Sequence, residues 1–121
     1  MEDTRIWEME AKLWHGGREV YEALVDEAVV MTLPLEPFLF SRDAAIAQVE
    51  RSPRWDEVNF SNQTVTRPEE GLIVIGYQVE ASRGAEHYGC FASSTLRRRG
   101  HDDWSVVQHS QMVPLKMGVE T

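Results

Sequence analysis

The stretch "SSTLRRRGHDDWSVVQHSQ", from Ser93 to Gln111, decides the architecture. Apolar and β-branched residues flank "RGHDD" on both sides, as in two strands joined by a short glycine-bearing turn. Working backwards, "RGAE" (Arg83–Glu86) and "RPEEG" (Arg67–Gly71) punctuate the chain in the same way. Strand character therefore extends over Trp55–Thr66, Leu72–Ser82, His87–Arg98 and Trp104–Val113, a late antiparallel run.

The first half alternates differently. Ile6, Met9 and Leu13 recur at helical spacing, and Trp7, Ala11 and Trp14 do so on a neighbouring arc, predicting a helix over Thr4–His15. At about 100° per residue the two arcs cover about 200° of its surface, so it packs on more than one side. "HGG" (His15–Gly17) ends it, and a shorter helix from Arg18 to about Val25 follows. "DEAVVMTL" (Asp26–Leu33) reads as a strand, closed by Pro34 and Pro37 with a loop carrying Phe38, Leu39 and Phe40. Ser41 is placed to cap a helix over Arg42–Arg51 that presents Ala45, Ile46 and Val49 on one face. The order α-α-β-α-β-β-β-β is α+β: a curved sheet whose concave side is closed by helices.

Composition narrows the function classes. The 121 residues are 42% hydrophobic and 26% charged, the profile of one folded domain spanning residues 1–121. A net charge of −8 argues against nucleic acid as partner, and Arg97–Arg99 read as a solvated strand end and turn. No apolar run is long enough to span a bilayer, and the acidic, amphipathic start is not a signal or transit peptide; a cytoplasmic location is expected. The single cysteine, Cys90, cannot form an intrachain disulfide and reads as a small core residue. No histidines have metal-ligand spacing, so neither a metal nor a cofactor is expected.

The candidate chemistry centres on Glu10. It falls between the two apolar arcs of the first helix, flanked by Leu13 and Trp14, where a carboxylate faces protein rather than water. Burial without a partner is costly, so it must be paired or its pKa must rise. His109 is the histidine inside an apolar strand, and a His–carboxylate pair with Glu10 or Asp26 is conceivable. The bland readings are a structural carboxylate that orders the helix and a core or interface histidine. Trp14, Trp55, Tyr77, Tyr88 and Phe38 give any cavity an aromatic lining, with Ser94 among its polar groups. Strand alternation puts Gln108 and Ser110 on one face and His109 and Gln111 on the other; Gln108 and Ser110, with Trp104, are expected inward. Neither face of the last two strands is cleanly polar, which predicts a homodimer through the outer sheet face.

The element order resembles the nuclear transport factor 2-like superfamily, and its detail is similar to the SnoaL-like branch of small bacterial proteins of unknown function. The resemblance rests on "MEAKLW", "YEALVDEAVVMTLP", "SRDAAIAQV", "PRWDEVNFSNQTV" and "SSTLRRRGHDDWSVVQHSQ". It implies a cone-shaped α+β domain, a homodimer, and a pocket between sheet and helices. In that superfamily such pockets host isomerases, dehydratases, cyclases and epoxide hydrolases, and also non-enzymatic association modules. Three readings follow: a pocket for a small, mostly apolar molecule; an isomerase, dehydratase or cyclase using Glu10 as general acid or base with His109 or Tyr77; and a pure association module.

Overall fold

The computed structural model describes residues 1–115. Helix α1 spans Asp3–His15, α2 Arg18–Leu24, strand β1 Val25–Thr32, β2 Leu39–Phe40 and α3 Arg42–Arg51. Four long strands follow: β3 Glu57–Glu69, β4 Leu72–Arg83, β5 Glu86–Gly100 and β6 Asp103–Met112. Among the described residues no helix is long and apolar enough to cross a membrane.

The six strands form one curved, unclosed mixed sheet in the order β2-β1-β6-β5-β4-β3. Strands β3 to β6 make the expected antiparallel meander. Two features are not in the sequence reading. Strand β1 joins the sheet parallel to β6, pairing Met31 with His109, and a two-residue β2 forms inside the loop expected around Leu39 and Phe40. The parallel pairing follows from the long path through the loop and α3 and along the meander, which returns the chain to the first strand from the same end. Trp55 lies just before β3 rather than in it.

The start of α3 and the end of α1 each have a local cause. The Ser41 hydroxyl accepts from the Ala44 backbone N–H at 3.2 Å and caps α3 as expected. Gly16 donates to the Lys12 carbonyl at the end of α1, and a Cβ there would lie 2.4 Å from the Val20 side chain. Glycine is therefore needed for the abrupt entry into α2. Gly71 and Gly84, with φ of +82° and +53°, supply the left-handed backbone of two of the hairpin turns.

The core lies between the concave sheet face and the helices. Ile6, Met9, Leu13 and Trp14 from α1 and Ala45, Ile46 and Val49 from α3 pack on Ile73, Ile75, Tyr77 and Val79 of β4 and on Cys90, Ala92 and Leu96 of β5. These are the faces that the 3.6- and 2-residue periodicities assign.

Strand β6 carries one irregularity that reorganises its faces. Leu96 pairs with Val106 and Thr95 with Gln108, so Val107 is an extra residue without an opposite number. Before this bulge the even positions Trp104 and Val106 face the core; after it the odd positions do, with His109 opposite Ser94 and Gln111 opposite Ala92. The expected inward placement of Gln108 and Ser110 is thus reversed. Strict alternation carried across a bulge assigns every later residue to the wrong face.

Asp26, the second residue of β1, is buried. One carboxylate oxygen accepts from the Ala28 N–H at 2.9 Å; the other accepts from Ser105 Oγ and from the Arg97 guanidinium, both at 3.0 Å. It therefore braces β1 against β5 and β6 and is not a partner of His109. The Ala28 N–H foremost, and then Ser105 and Arg97, outweigh burial and hold its carboxyl below the usual range. With a lowered folded-state pKa, Asp26 stabilises the fold above the unfolded carboxyl pKa, and the contribution is lost as pH falls through the folded value. Asp26→Asn is expected to lower the melting temperature at pH 7 and to flatten the acid limb of a Tm-against-pH curve. An unchanged acid limb would show that Asp26 does not drive it.

Candidate functional site

Glu10 is the residue around which the concave side is organised. It is 1% exposed, on α1, with its carboxylate reaching the middle of the sheet. Oε2 accepts from Tyr77 Oη of β4 at 2.5 Å and from Ser94 Oγ of β5 at 2.6 Å. Tyr77 Oη itself accepts from Trp14 Nε1 at 3.0 Å. Burial, followed by the negative charge of Glu10, drives the Tyr77 phenol pKa far upward, so Tyr77 keeps its proton and donates it.

Ser94 has one proton, and it goes to Glu10. The 2.7 Å contact between Ser94 Oγ and His109 Nδ1 then requires Nδ1–H to be the donor. This leaves His109 Nε2 as acceptor for the Gln111 amide at 3.1 Å, while Gln111 Oε1 accepts from Tyr88 Oη at 2.8 Å. Tyr88 is likewise held protonated, first by burial and then by the Cys90 thiol beside it. One continuous chain therefore runs Trp14–Tyr77–Glu10–Ser94–His109–Gln111–Tyr88, with each donor and acceptor direction consistent. His109 Nδ1 also lies 3.5 Å from Glu10 Oε2. Glu10 Oε1 is buried with no hydrogen-bond partner among the described residues.

A cavity of about 290 Å³, open on one side, sits at the His109 end of this chain. Trp14, His109, Gln111, Tyr88 and Trp55 line it on the sheet side. Their rings form a ladder: His109 meets Trp14 edge-on at 6.1 Å, Trp14 lies 6.2 Å from Tyr88, and Tyr88 stacks on Trp55 at 5.7 Å and 10°. The Arg83 guanidinium lies over the Trp55 ring, 4.1 Å from its centroid. Opposite stand Leu13, Tyr21, Ala45 and Val49 from the helices and Leu33–Leu35 from the loop after β1. Trp55 is held where it is by its neighbours: His15 Nδ1 donates to its carbonyl at 2.8 Å, and the Asp56 N–H binds the Ser82 carbonyl.

The residues expected from the sequence do not all meet in one place. Trp14, Trp55, Tyr88 and His109 line the cavity. Glu10, Tyr77 and Ser94 are buried behind it and reach it only through His109 and Trp14. Gln108 and Ser110 are on the outer face, where the Gln108 amide donates to Ser110 Oγ and its carbonyl accepts from Thr95. Trp104 faces inward at the other end of the sheet, near Arg98. Phe38 is exposed and does not line the cavity. Alternation missed Gln111 because of the Val107 bulge. Gln48 and Arg54 carry no pattern that marks them; only the folding of α3 and the "SPRW" segment over the cone brings them to its rim.

No family model matches this chain, and no curated protein matches it in sequence. Its fold, by contrast, is shared with many solved structures. A nuclear transport factor 2-like protein of unknown function from Pseudomonas putida superposes with a TM-score of 0.78 at 14% identity, over 98% of this chain and 91% of that one. A ketosteroid isomerase-like protein from Parabacteroides distasonis superposes at 0.74 with 16% identity, over 89% and 85%. The association domain of CaMKII from C. elegans superposes at 0.71 with 15% identity, over 91% and 92%. The chain has the nuclear transport factor 2-like fold; neighbours this distant in sequence carry no further inference about activity.

Removing the Tyr77 hydroxyl tests the hydrogen-bond chain. Tyr77→Phe leaves Trp14 Nε1–H buried without an acceptor and Glu10 with one donor fewer, an expected cost of about 1–3 kcal/mol in denaturant unfolding. A loss below about 0.5 kcal/mol would mean the hydroxyl is not an integral part of the core.

Proposed function

We propose that this protein binds a small, mostly apolar molecule in the cleft between sheet and helices. The observation that carries the reading is the cavity itself: an aromatic ladder on one wall, aliphatic side chains on the other, and a few convergent polar groups in His109, Gln111 and Tyr88. This is the composition of a site that takes an apolar body and orients it by a few hydrogen bonds. Its volume of about 290 Å³ falls at the small end of known ligand sites. The sites expected from sequence therefore become Trp14, Trp55, Tyr88 and His109 as ligand contacts, with Glu10, Tyr77 and Ser94 supporting them. 2-Naphthol is a suitable neutral probe. Calorimetry is expected to give saturable binding at one site per chain, and Gln48→Trp, which fills the cleft from its rim, is expected to weaken it by about tenfold or more. Binding unaffected by Gln48→Trp would place the probe elsewhere.

A second reading is supported by the chain that joins Glu10 to His109 through Ser94. A carboxylate wired to an imidazole that faces a cavity is an arrangement for moving protons, as isomerase, dehydratase or cyclase chemistry requires. Here His109 touches the substrate and Glu10 orients it. Deuterium uptake at the α-carbons of cyclohexanone in D2O, followed by NMR, is expected to fall by about 10²–10⁴-fold in His109→Gln. Uptake equal in the two proteins removes this reading for enolisable ketones.

The outer sheet face supports self-association. Phe91 and Met112 are paired on adjacent strands and are 41% and 57% exposed, and Val30 and Leu39 are 52% and 65% exposed on β1 and β2. Apolar side chains spread over one sheet face fit burial against a second copy of the chain. Sedimentation is expected to show a dimer at micromolar concentration and a monomer for Phe91→Glu/Met112→Glu. A wild-type monomer would overturn this.

A further inference from the structure

The cavity differs from the rest of the molecule in charge. The chain carries 20 acidic and 12 basic residues, yet among the described residues no Asp or Glu lines the cavity, while Arg54 and Arg83 both do. The two arginines are not equivalent. Arg83 is paired with Glu86 at 2.9 Å and sits over the Trp55 ring at 4.1 Å, so its charge is already met. Arg54 has no carboxylate within ion-pair distance among the described residues. Its Nε donates to the Gly16 carbonyl at 2.7 Å and its Nη2 to the Leu13 carbonyl at 2.6 Å. Nη1 makes no hydrogen bond among the described residues. The carbonyls belong to the last turn and the C-cap of α1, whose partial negative charge offsets only part of a full cation, and the Leu13 carbonyl also accepts from Tyr21 Oη at 3.2 Å.

These contacts fix the guanidinium without neutralising it. It is half-buried beside the apolar walls, where a charge is screened less than at an open surface and attraction to an opposite charge is correspondingly larger. A guanidinium held by its Nε and one terminal nitrogen presents its remaining N–H groups in fixed directions, well matched to a carboxylate. His109 and Gln111 lie deeper, and His109 is 3% exposed.

We infer that the cleft selects a small organic anion, a monocarboxylate on a flat or aliphatic apolar body, with Arg54 as its counter-ion at the rim and the aromatic ladder against its body. This rests on the ligand-binding reading and names the chemical class of the occupant. A neutral ligand would leave Arg54 without a counter-charge; a cationic one would meet two arginines and, among the described residues, no carboxylate in the wall.

The test compares three probes that share one ring system and differ in charge: 2-naphthoate, 2-naphthamide and 2-naphthylmethylammonium. In calorimetry of the wild-type protein the carboxylate is expected to bind at least about tenfold more tightly than the amide, and the ammonium most weakly. Arg54→Gln is expected to bring the carboxylate-to-amide affinity ratio down to about one, while Arg54→Lys keeps most of the preference. Melting temperatures check that both variants fold, and the comparison of probes on the wild-type protein stands without them. Equal affinities for carboxylate and amide, or preference for the ammonium, overturn the anion inference and leave the cleft as a neutral binding site. Failure of all three probes, together with 2-naphthol, overturns the pocket reading as well.

Discussion

The structure depends on the burial of one carboxylate. Glu10 is inside because α1 is apolar on two adjacent arcs and must be covered on both. Once inside, it has to be supplied with donors, and Tyr77 and Ser94 on neighbouring strands supply two. Helix α1 is thereby tied to the centre of the sheet at a defined register, which packing of Ile6, Met9 and Leu13 alone would not specify. The same requirement propagates outward. Ser94 gives its proton to Glu10, so His109 must donate from Nδ1, so its Nε2 must accept, so Gln111 turns its amide toward it. The polar end of the cavity is a consequence of this buried acid, whose Oε2 lies 3.5 Å from His109 Nδ1.

This coupling makes core and site hard to separate. Trp14 is a core side chain on one edge, a donor to Tyr77 at its nitrogen, and a wall of the cavity on its ring. His109 is 3% exposed and still lines the cavity. Where a fold is used for many purposes, such a prearranged shell confers precision, because side chains held by packing and second partners do not have to be ordered when a ligand arrives. The rim is built on different terms. Arg54, Trp55 and Arg83 come from a loop and a strand end and are fixed by backbone carbonyls, by stacking and by one exposed ion pair.

The helices, the four long strands and the buried role of Glu10 were legible in the sequence, because each rests on a short-range rule. Ile6, Met9, Leu13 and Trp14 share a helical face by spacing alone, and Ile73, Ile75, Tyr77 and Val79 share a sheet face by alternation. Ser41 announces α3 because its hydroxyl serves a donor three residues on. Glu10 could be picked out because a charge within an apolar arc has no solvent to face.

What only the tertiary structure decided is where those local units meet. The parallel pairing of β1 with β6, the Val107 bulge and the descent of Arg54 to the cavity all depend on partners distant in sequence. The bulge shows the limit most directly. Periodicity assumes that every residue advances the strand by one step, so a single unpaired residue inverts all positions after it, and nothing local in "SVVQH" announces that Val107 is the one skipped. The sequence by itself determined which side chains seek the interior and which element each belongs to. Only the assembled sheet, through pairing and register, determined that His109 and Gln111 would line the cavity while Gln108 and Ser110 face out.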